Sequence, residues 1–466
     1  MVALVPGGSR VAHDRAVEEM RRARTGAGRV QLGKPSSNLF RFGDRDTGRG
    51  AHRLDTSALD GVLAVDPGGA AARSAGGAPV STAEVQGMAT YETIVAATLP
   101  HGLMPLVVPQ LKTITLGGAV TGLGVESTSF RHGLPHESVR EMDVLTPAGE
   151  LLHVTPDGEH ADLFAAFPNS YGTLGYAVRL VIELQPVRPF VRLTHRRYPT
   201  ATAVAGGISE LAGSGADFLD GVVFGADEQY LTTGEFVDAP MPGARVSDYT
   251  GQEIFYRSLQ RRPVDHLTVH DFIWRWDPDW FWCSRAFGVQ HPLVRRFWPR
   301  RYRRSDVYRR LVALDQRFGA SNRVRSALGG TAEEMVVQDV EIPVERLAEF
   351  LEFFHTEVGI APVWLCPMRL RGERAWPLYP MEPGRLYVNV GFWSSVPERP
   401  GDRWAHNRLV EAAVADLGGH KSLYSTVHYD EDEFWAHYNG AAYRAVKERY
   451  DPDGRAPDLY RKVTGR

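Results

Sequence analysis

The sequence predicts an α+β protein, and three observations support this prediction. The chain has 466 residues, of which 43% are hydrophobic and 23% are charged, a composition typical of globular domains. Short β-rich pieces bounded by turn residues alternate with segments of helical periodicity. The composition changes at about residue 190, after Pro186 and Pro189, and again at about residue 410. We therefore expect three parts, at 1–190, 191–410 and 411–466.

The elements follow in chain order. In the first part we predict helices over 13–24, 90–101 and 162–167, and strands over 61–66, 83–86, 139–145, 151–155 and 176–184. Pro67-Gly68-Gly69 and Pro147-Ala148-Gly149 are turn signals that end two of these strands. Beyond residue 190 we predict strands over 334–342, 386–392 and 422–428, and helices over 344–357 and 431–450.

Charge and cysteine content exclude several classes of protein. The net charge of -3 argues against a general nucleic-acid-binding protein, so no nucleic-acid partner is expected. Cys283 and Cys366 are far apart and form no CxxC pair, so neither a disulfide framework nor a metal site is expected. No apolar run reaches the roughly 18 residues that span a bilayer. We expect a cytoplasmic protein, and nothing in the sequence favours one oligomeric state.

A glycine-rich run at 113–133 is the first candidate functional motif. Gly117, Gly118, Gly122 and Gly124 carry no Cβ, so backbone N–H groups there can approach a diphosphate or the edge of a flavin. The run is neither a GxGxxG motif opening a helix after a first strand nor a Walker A loop. A tight turn region with structural glycines explains the glycines alone equally well.

The order of motifs around this run indicates a family. From Val85 to Gly149 the chain shows short strands, a helix, Thr-x-Gly-Gly, Gly-x-Gly and a following β-hairpin. This pattern resembles the vanillyl-alcohol-oxidase-type flavoproteins, whose FAD-binding domain is of the p-cresol methylhydroxylase type. Thr115-Leu-Gly-Gly, Glu126-Ser127 and the later segments 172–175 and 362–367 resemble its Δ24-sterol reductase branch. They are also similar to actinobacterial flavoenzymes that reduce 10-methylene fatty acyl chains.

The resemblance implies a fold, a reaction and two cofactors. It implies a two-part FAD-binding domain, at 1–190 and 411–466, with an α/β substrate cap at 191–410. It implies reduction of a carbon–carbon double bond in a lipid substrate, either a 10-methylene fatty acyl chain or a sterol side-chain alkene, with NADPH as electron donor. Two alternatives stay open. One is an FAD-dependent alcohol oxidase or dehydrogenase of the same fold, and the other is a non-catalytic, membrane-peripheral lipid-binding protein.

The resemblance also places the FAD contacts on this sequence. The loop 34–41 holds no His or Cys, so we expect FAD to bind without a covalent bond. Phosphate contacts are expected from Ser36, Ser37, Asn38 and Arg41. Contacts to the diphosphate and flavin are expected from Thr115, Gly117, Gly118, Gly122, Gly124, Glu126, Ser127 and Tyr424, and Val178 is expected near the adenine.

Three residues are candidate catalytic groups. Tyr424 matches the place where this family brings a tyrosine to the flavin, and His428 lies four residues further on. Either could donate the proton that completes the reduction, and each could instead be a packing residue. Glu126 could bind a ribityl hydroxyl, assist proton transfer or stabilise a turn.

The segment from Phe272 to Arg310 is rich in tryptophan and arginine. Aromatic rings and guanidinium groups suit contact with an anionic membrane. We therefore expect either peripheral contact with the inner face of the cell membrane or a helix whose arginines cover a core.

Overall fold

The computed structural model of the chain describes residues 3–4, 9–26, 30–34, 40, 52–68, 79–318 and 332–465. In these residues helices are mixed with largely antiparallel sheets, which agrees with the predicted α+β class. The α-helices are Arg10–Gly26, Tyr91–Thr98, Leu116–Gly122, Ser129–His132, Ala161–Ala166, Ala201–Leu211, Phe255–Ser258, Val269–Ile273, Pro292–Phe297, Ser305–Phe318, Leu347–Glu357, Ala405–Asp416, Glu431–His437, Gly440–Tyr450 and Leu459–Thr464. The 3-10 helices are Leu99–His101, Pro135–Ser138, Asp277–Asp279, Cys283–Phe287, Arg300–Tyr302 and Val344–Arg346.

The first sheet is organised around its longest strand, Tyr176–Pro186. Apolar side chains of this strand, such as Leu180 and Ile182, are fully buried. It pairs antiparallel with Thr82–Gln86, Val139–Leu145 and Leu103–Pro105. The outer strands of the sheet are Ala3–Leu4, Val62–Asp66 and Leu151–Val154. The glycine-rich run therefore leaves this sheet after Leu103–Pro105 and returns to it at Val139–Leu145.

Strands from the middle of the chain form a second sheet. In spatial order its strands are Val246–Ser247, Val264–Thr268, Phe190–Tyr198, Glu228–Val237, Phe218–Gly225, Val363–Met368, Tyr387–Pro397, Glu333–Pro343 and His420–Lys421. Every neighbouring pair is antiparallel except the first, which is parallel. A separate parallel pair joins Val30–Leu32 to His52–Leu54.

The C-terminal segment joins the second sheet and contacts the helix and loop that precede the strand Tyr176–Pro186. His420–Lys421 forms the edge strand of the second sheet. Further on, Tyr450 donates a hydrogen bond to Asp162 (2.8 Å) and Lys447 donates to the carbonyl of Thr173 (2.8 Å). In the described part of the chain, no helix combines the length and apolarity that crossing a membrane requires.

Three predicted elements are corrected by the structure. The strand predicted at 422–428 is wrong, because the chain leaves the sheet after Lys421. The helix predicted at 431–450 is two helices, since Asn439 adopts a positive φ of 50° and caps the second one. The glycine-rich run contains a helix, Leu116–Gly122, where we expected only loop.

Candidate functional site

A cavity of about 540 Å³ takes its lining from both sheets and from the glycine-rich run. Its lining includes Ala177 of the first sheet and Asp339, Trp364 and Trp393 of the second. Of the predicted FAD-binding residues, the cavity is lined by Thr115, Gly117, Gly118, Gly122, Gly124 and Tyr424. The structure therefore brings these six residues to one site, although they come from opposite ends of the chain.

The helix Leu116–Gly122 begins at the cavity wall. Thr115 is its N-cap residue, and its hydroxyl accepts a hydrogen bond from the Gly118 N–H at 3.2 Å. A Cβ on Gly117 would lie 2.8 Å from the carbonyl oxygen of Gly87, so this glycine allows close packing of protein backbone. A Cβ on Gly118 would instead lie 2.8 Å from the Thr115 hydroxyl and 3.8 Å from Lys34 Nζ. Gly118 thus belongs to the polar wall of the cavity.

Lys34 gives this wall a positive charge. It lines the cavity, and no carboxylate among the described residues pairs with its ammonium group. Burial lowers the pKa of Lys34 to about 8, because removal from water disfavours the charged ammonium group. An anion in the cavity would supply that partner. The glycines, the Thr115 hydroxyl and Lys34 therefore fit the diphosphate of FAD.

Aromatic rings form another part of the cavity wall. Phe281 lies 4.4 Å from Trp393 and 5.3 Å from Trp364, measured between ring centroids. Phe40 lies 5.6 Å from Trp280, and its ring meets Tyr424 edge-on at 5.9 Å. These six rings line the cavity together. Binding along this wall would remove the surface of an apolar ligand from water, which is favourable.

Tyr424 is held in the wall by two side-chain partners. Its hydroxyl accepts a hydrogen bond from Trp393 Nε1 at 2.9 Å and is also hydrogen-bonded to Asp339. Burial raises the pKa of Tyr424 well above its ordinary value. Burial likewise raises the pKa of the Asp339 carboxyl to about 7, although hydrogen bonds from Asn389 and Tyr424 act in the opposite direction.

Glu126 and Ser127 lie outside the described lining of the cavity and belong to a buried charge cluster. Arg275 donates to Asp220 at 2.7 Å and to Glu126 at 3.2 Å, and the Ser127 hydroxyl donates to Glu126 at 2.6 Å. Burial raises the pKa of Glu126, and the Arg275 charge opposes this shift. Both hydrogen bonds go to Oε1 of Glu126, and the expected flavin contact of this residue stays a prediction.

The other predicted residues fall into three groups. Val178 is buried beside the cavity, where its carbonyl accepts from the Gly87 N–H at 3.0 Å. The structure does not bring His428 to the cavity: its backbone N–H donates to Glu411 and its ring lies 5.3 Å from Trp404. Ser36, Ser37, Asn38 and Arg41 lie outside the described residues.

The segment 272–310 is divided between core and surface. Its tryptophans at 274, 276, 280 and 282 are buried, which corrects the expectation that they face a membrane. Arg295 pairs with Asp279 at 2.6 Å and Arg304 pairs with Glu92 at 2.8 Å. The helix Pro292–Phe297 and the turn after it are largely exposed, and so are Arg285, His291 and Arg310.

Asp339 was missed by sequence reasoning, and so was Gly87. A Cβ on Gly87 would lie 1.8 Å from the Ala177 carbonyl oxygen, so no other residue fits there. The sequence signal for Asp339 is its place in Gln338-Asp339-Val340-Glu341, where the polar residues at 339 and 341 share one face of a strand. That pattern by itself is typical of a solvent-facing edge.

A domain family and several known proteins are similar to this chain in sequence. The model of an FAD binding domain matches residues 37–155. Δ24-sterol reductase from Homo sapiens is 24% identical over 395 residues, covering 81% of this chain and 73% of that protein. Its Arabidopsis thaliana counterpart is 26% identical, covering 82% and 73%. Decaprenylphosphoryl-beta-D-ribose oxidase from Mycolicibacterium smegmatis is 31% identical, covering 66% and 63%.

These likenesses agree with the geometry of the site. The matched region contains the strands and the helix Leu116–Gly122 that place the glycines on the cavity. The resemblance stated from the motifs is therefore confirmed. The chain is a flavoprotein oxidoreductase that carries an FAD-binding domain of the p-cresol methylhydroxylase type and is related to the Δ24-sterol reductases.

Proposed function

We propose that this flavoprotein reduces a carbon–carbon double bond in a lipid, with NADPH as the electron donor. The observation that carries this proposal is the cavity wall, in which six contiguous aromatic rings adjoin a hydroxyl and a carboxyl group. A long apolar chain matches the rings, and the polar pair can serve proton transfer. The substrate is a 10-methylene fatty acyl chain or a sterol side-chain alkene. Relatives named Δ24-sterol reductase support the second class.

Different residues of the cavity would bind the cofactor, donate the proton and position the substrate. Gly118, Thr115 and Lys34 would hold the diphosphate of FAD. When bound and reduced, FAD supplies a hydride. Tyr424 is the candidate proton donor, because it lines the cavity whereas His428 and Glu126 do not. The aromatic wall would exclude water and hold the alkene in one orientation, as a reaction without a neighbouring carbonyl requires.

One observation favours a second candidate function. The Mycolicibacterium relative, at 31% identity, is named an oxidase. An FAD-dependent oxidase would take a hydride from an alcohol and pass the electrons to oxygen. The same glycine-rich wall would serve it, so the acceptor of the electrons distinguishes the two functions.

An anaerobic flavin experiment tests the proposal. NADPH should bleach the flavin of the purified protein, and vesicles containing a 10-methylene fatty acyl phospholipid or a sterol with a side-chain double bond should restore its colour. Saturated lipids of the same length are the control. Rapid recovery of colour in air, with no recovery on either alkene, would favour the oxidase instead.

We also propose that the protein collects its lipid from an anionic membrane. The helix Pro292–Phe297 and the following turn expose apolar side chains, with Leu293 63% and Phe297 80% accessible. Arg296, Arg300 and Arg301 are exposed beside them. Apolar groups flanked by guanidinium groups complement a negatively charged bilayer surface.

The surface also adjoins the cavity. Trp298 of this turn packs on Tyr308, and both belong to a small apolar cluster with Trp280 of the cavity wall. A lipid entering here would pass along apolar groups to the site. Changing Phe297 and Leu293 to Ser should weaken binding to vesicles of anionic phospholipid, while the exposed Val11→Ser should not. Equal vesicle binding by the double variant and the wild type would refute this membrane surface.

A further inference from the structure

Asp339 is the only carboxylate among the described residues that line the cavity. It stands on the strand Glu333–Pro343, and its register partner is Gly391 on Tyr387–Pro397. A side chain at 391 would overlap the carboxyl group, so the glycine leaves room for it. Asn389 Nδ2 donates to Asp339 at 3.3 Å. The carboxyl group is thus fixed in position and partly open to the cavity.

The titratable groups around Asp339 are few in the described part of the chain. Glu341 lies on the same face of its strand, and Tyr424 approaches from the C-terminal segment. Cys366 comes from Val363–Met368, the strand on the far side of Tyr387–Pro397. Each of these groups is enclosed by protein, and burial raises the pKa of each, with Glu341 at about 8. None supplies a positive charge. A proton on the Asp339 carboxyl is therefore retained near neutral pH.

The hydrogen bonds of Tyr424 give that proton a route. A tyrosine hydroxyl has one donor and can accept two hydrogen bonds. Trp393 Nε1 occupies one acceptor position. When Asp339 is protonated it donates to the other, and the Tyr424 O–H must then turn away from both partners. The open side of Tyr424 is the cavity.

We propose that Asp339 and Tyr424 form a two-residue proton relay, in which Asp339 supplies the proton that the Tyr424 hydroxyl delivers to the lipid substrate. Tyr424 is the catalytic residue, and Asp339 acts through it. The relay rests on the proposed alkene reduction.

The step balances in atoms and electrons. The π bond of the alkene would break, and one carbon would receive the hydride, with both its electrons, that reduced FAD supplies when bound and by which the flavin is oxidised. The other carbon receives the proton of Tyr424, using the former π electrons. Asp339 passes its own proton to the Tyr424 oxygen and is left as a carboxylate. Water then returns a proton to Asp339 before the next turnover.

Two measurements on the FAD-loaded protein test the relay. The first is carbon-13 NMR of protein labelled at the aspartate carboxyls, titrated with pH. A resonance titrating near pH 7 should be present in the wild type and absent from Asp339→Asn. In Tyr424→Phe it should titrate at higher pH, because the hydrogen bond from Tyr424 lowers the pKa of Asp339.

The second measurement is the anaerobic single-turnover rate at which an alkenyl lipid in vesicles reoxidises dithionite-reduced enzyme. The wild-type rate should fall as pH rises through about 7, as Asp339 loses its proton. Asp339→Asn should be about 100-fold slower, the typical contribution of a general acid, and should lose this pH dependence. Glu341→Gln is the matched control, since it changes the next acid on the same face but does not line the cavity; it should keep the wild-type profile.

The outcomes separate the relay from the function on which it rests. A wild-type enzyme that reduces the alkene, with Asp339→Asn equal to it in rate and pH profile, overturns the relay alone. Equal losses in Glu341→Gln and Asp339→Asn also overturn it, because they would reflect a disturbed strand. A wild-type enzyme that reduces neither lipid class overturns the proposed function and the relay with it.

Discussion

The buried charge cluster around Arg275 makes a strong prediction about stability. The Arg275 side chain is 1% exposed and faces two carboxylates, on Asp220 and Glu126, that are equally enclosed. Replacing it with Met keeps the apolar stem and removes the only positive charge that these acids contact in the described part of the chain. Breaking a buried ion pair by removing one partner costs about 3–5 kcal/mol.

This loss of stability corresponds to a decrease in the melting temperature. Unfolding entropy of roughly 2.1 cal/mol/K per residue gives about 1 kcal/mol/K for a chain of this length unfolding as one unit. Arg275→Met should therefore lower the midpoint of thermal unfolding by about 3–5 °C, as measured by calorimetry. Arg192→Met is the matched control, because Arg192 pairs with Glu235 on the surface and exposed pairs contribute about 1 kcal/mol or less.

A compensating variant sharpens the test. If uncompensated charge is the cause, adding Glu126→Gln and Asp220→Asn to Arg275→Met should recover part of the lost stability, since neutral amides need no counter-ion. The reasoning would be refuted by an Arg275→Met protein that melts within 1 °C of the wild type. A triple variant less stable than Arg275→Met would also refute it.

Three further predictions concern FAD and pH. Gly118→Val should reduce the flavin absorbance per mole of folded protein, because its Cβ would lie 2.8 Å from the Thr115 hydroxyl. Gly206→Val, with open space around it, should not. Full flavin content in Gly118→Val would contradict the placement of Gly118 at the FAD site. Acid precipitation should leave a yellow supernatant and a colourless pellet, and a yellow pellet would show a covalent bond. The pKa of Asp339 is higher in the folded than in the unfolded protein, so its proton contributes to the stability of the folded wild type. This contribution is fully present below about pH 4 and is lost as pH rises through about 7. The free energy of unfolding of Asp339→Asn, measured with urea, should thus exceed that of the wild type by up to about 4 kcal/mol at pH 8 and by little at pH 4. A difference that does not change with pH would contradict the raised pKa.

The sequence predicted the elements that local patterns determine. The strand Val139–Leu145 has the bounds predicted, because it ends just before a Pro-Ala-Gly turn. Gly117 and Gly118 line the cavity, and their contact with FAD stays a prediction.

The failures concern contacts made over long distances in sequence. The residues 422–428 have strand propensity, but the chain turns so that the Tyr424 carbonyl accepts from the Phe40 N–H at 2.9 Å. Asp339 alternates with apolar residues like a surface position, but the C-terminal segment covers that face. Tryptophans suit both a membrane surface and a core, and only the fold shows that Trp276 is buried.

The position of Tyr176–Pro186 in the first sheet has a consequence for biosynthesis. This strand pairs with Thr82–Gln86 and Val139–Leu145, yet it leaves the ribosome after both. One edge of Thr82–Gln86 therefore stays unpaired while about a hundred residues are added, which takes roughly 5–20 s at the usual 5–20 residues per second. The corresponding interval for Val139–Leu145 is shorter. Unpaired edges of this kind invite pairing between nascent chains. Slower translation before residue 176 would lengthen this interval, so the yield of folded protein should depend on chaperones that shield those edges.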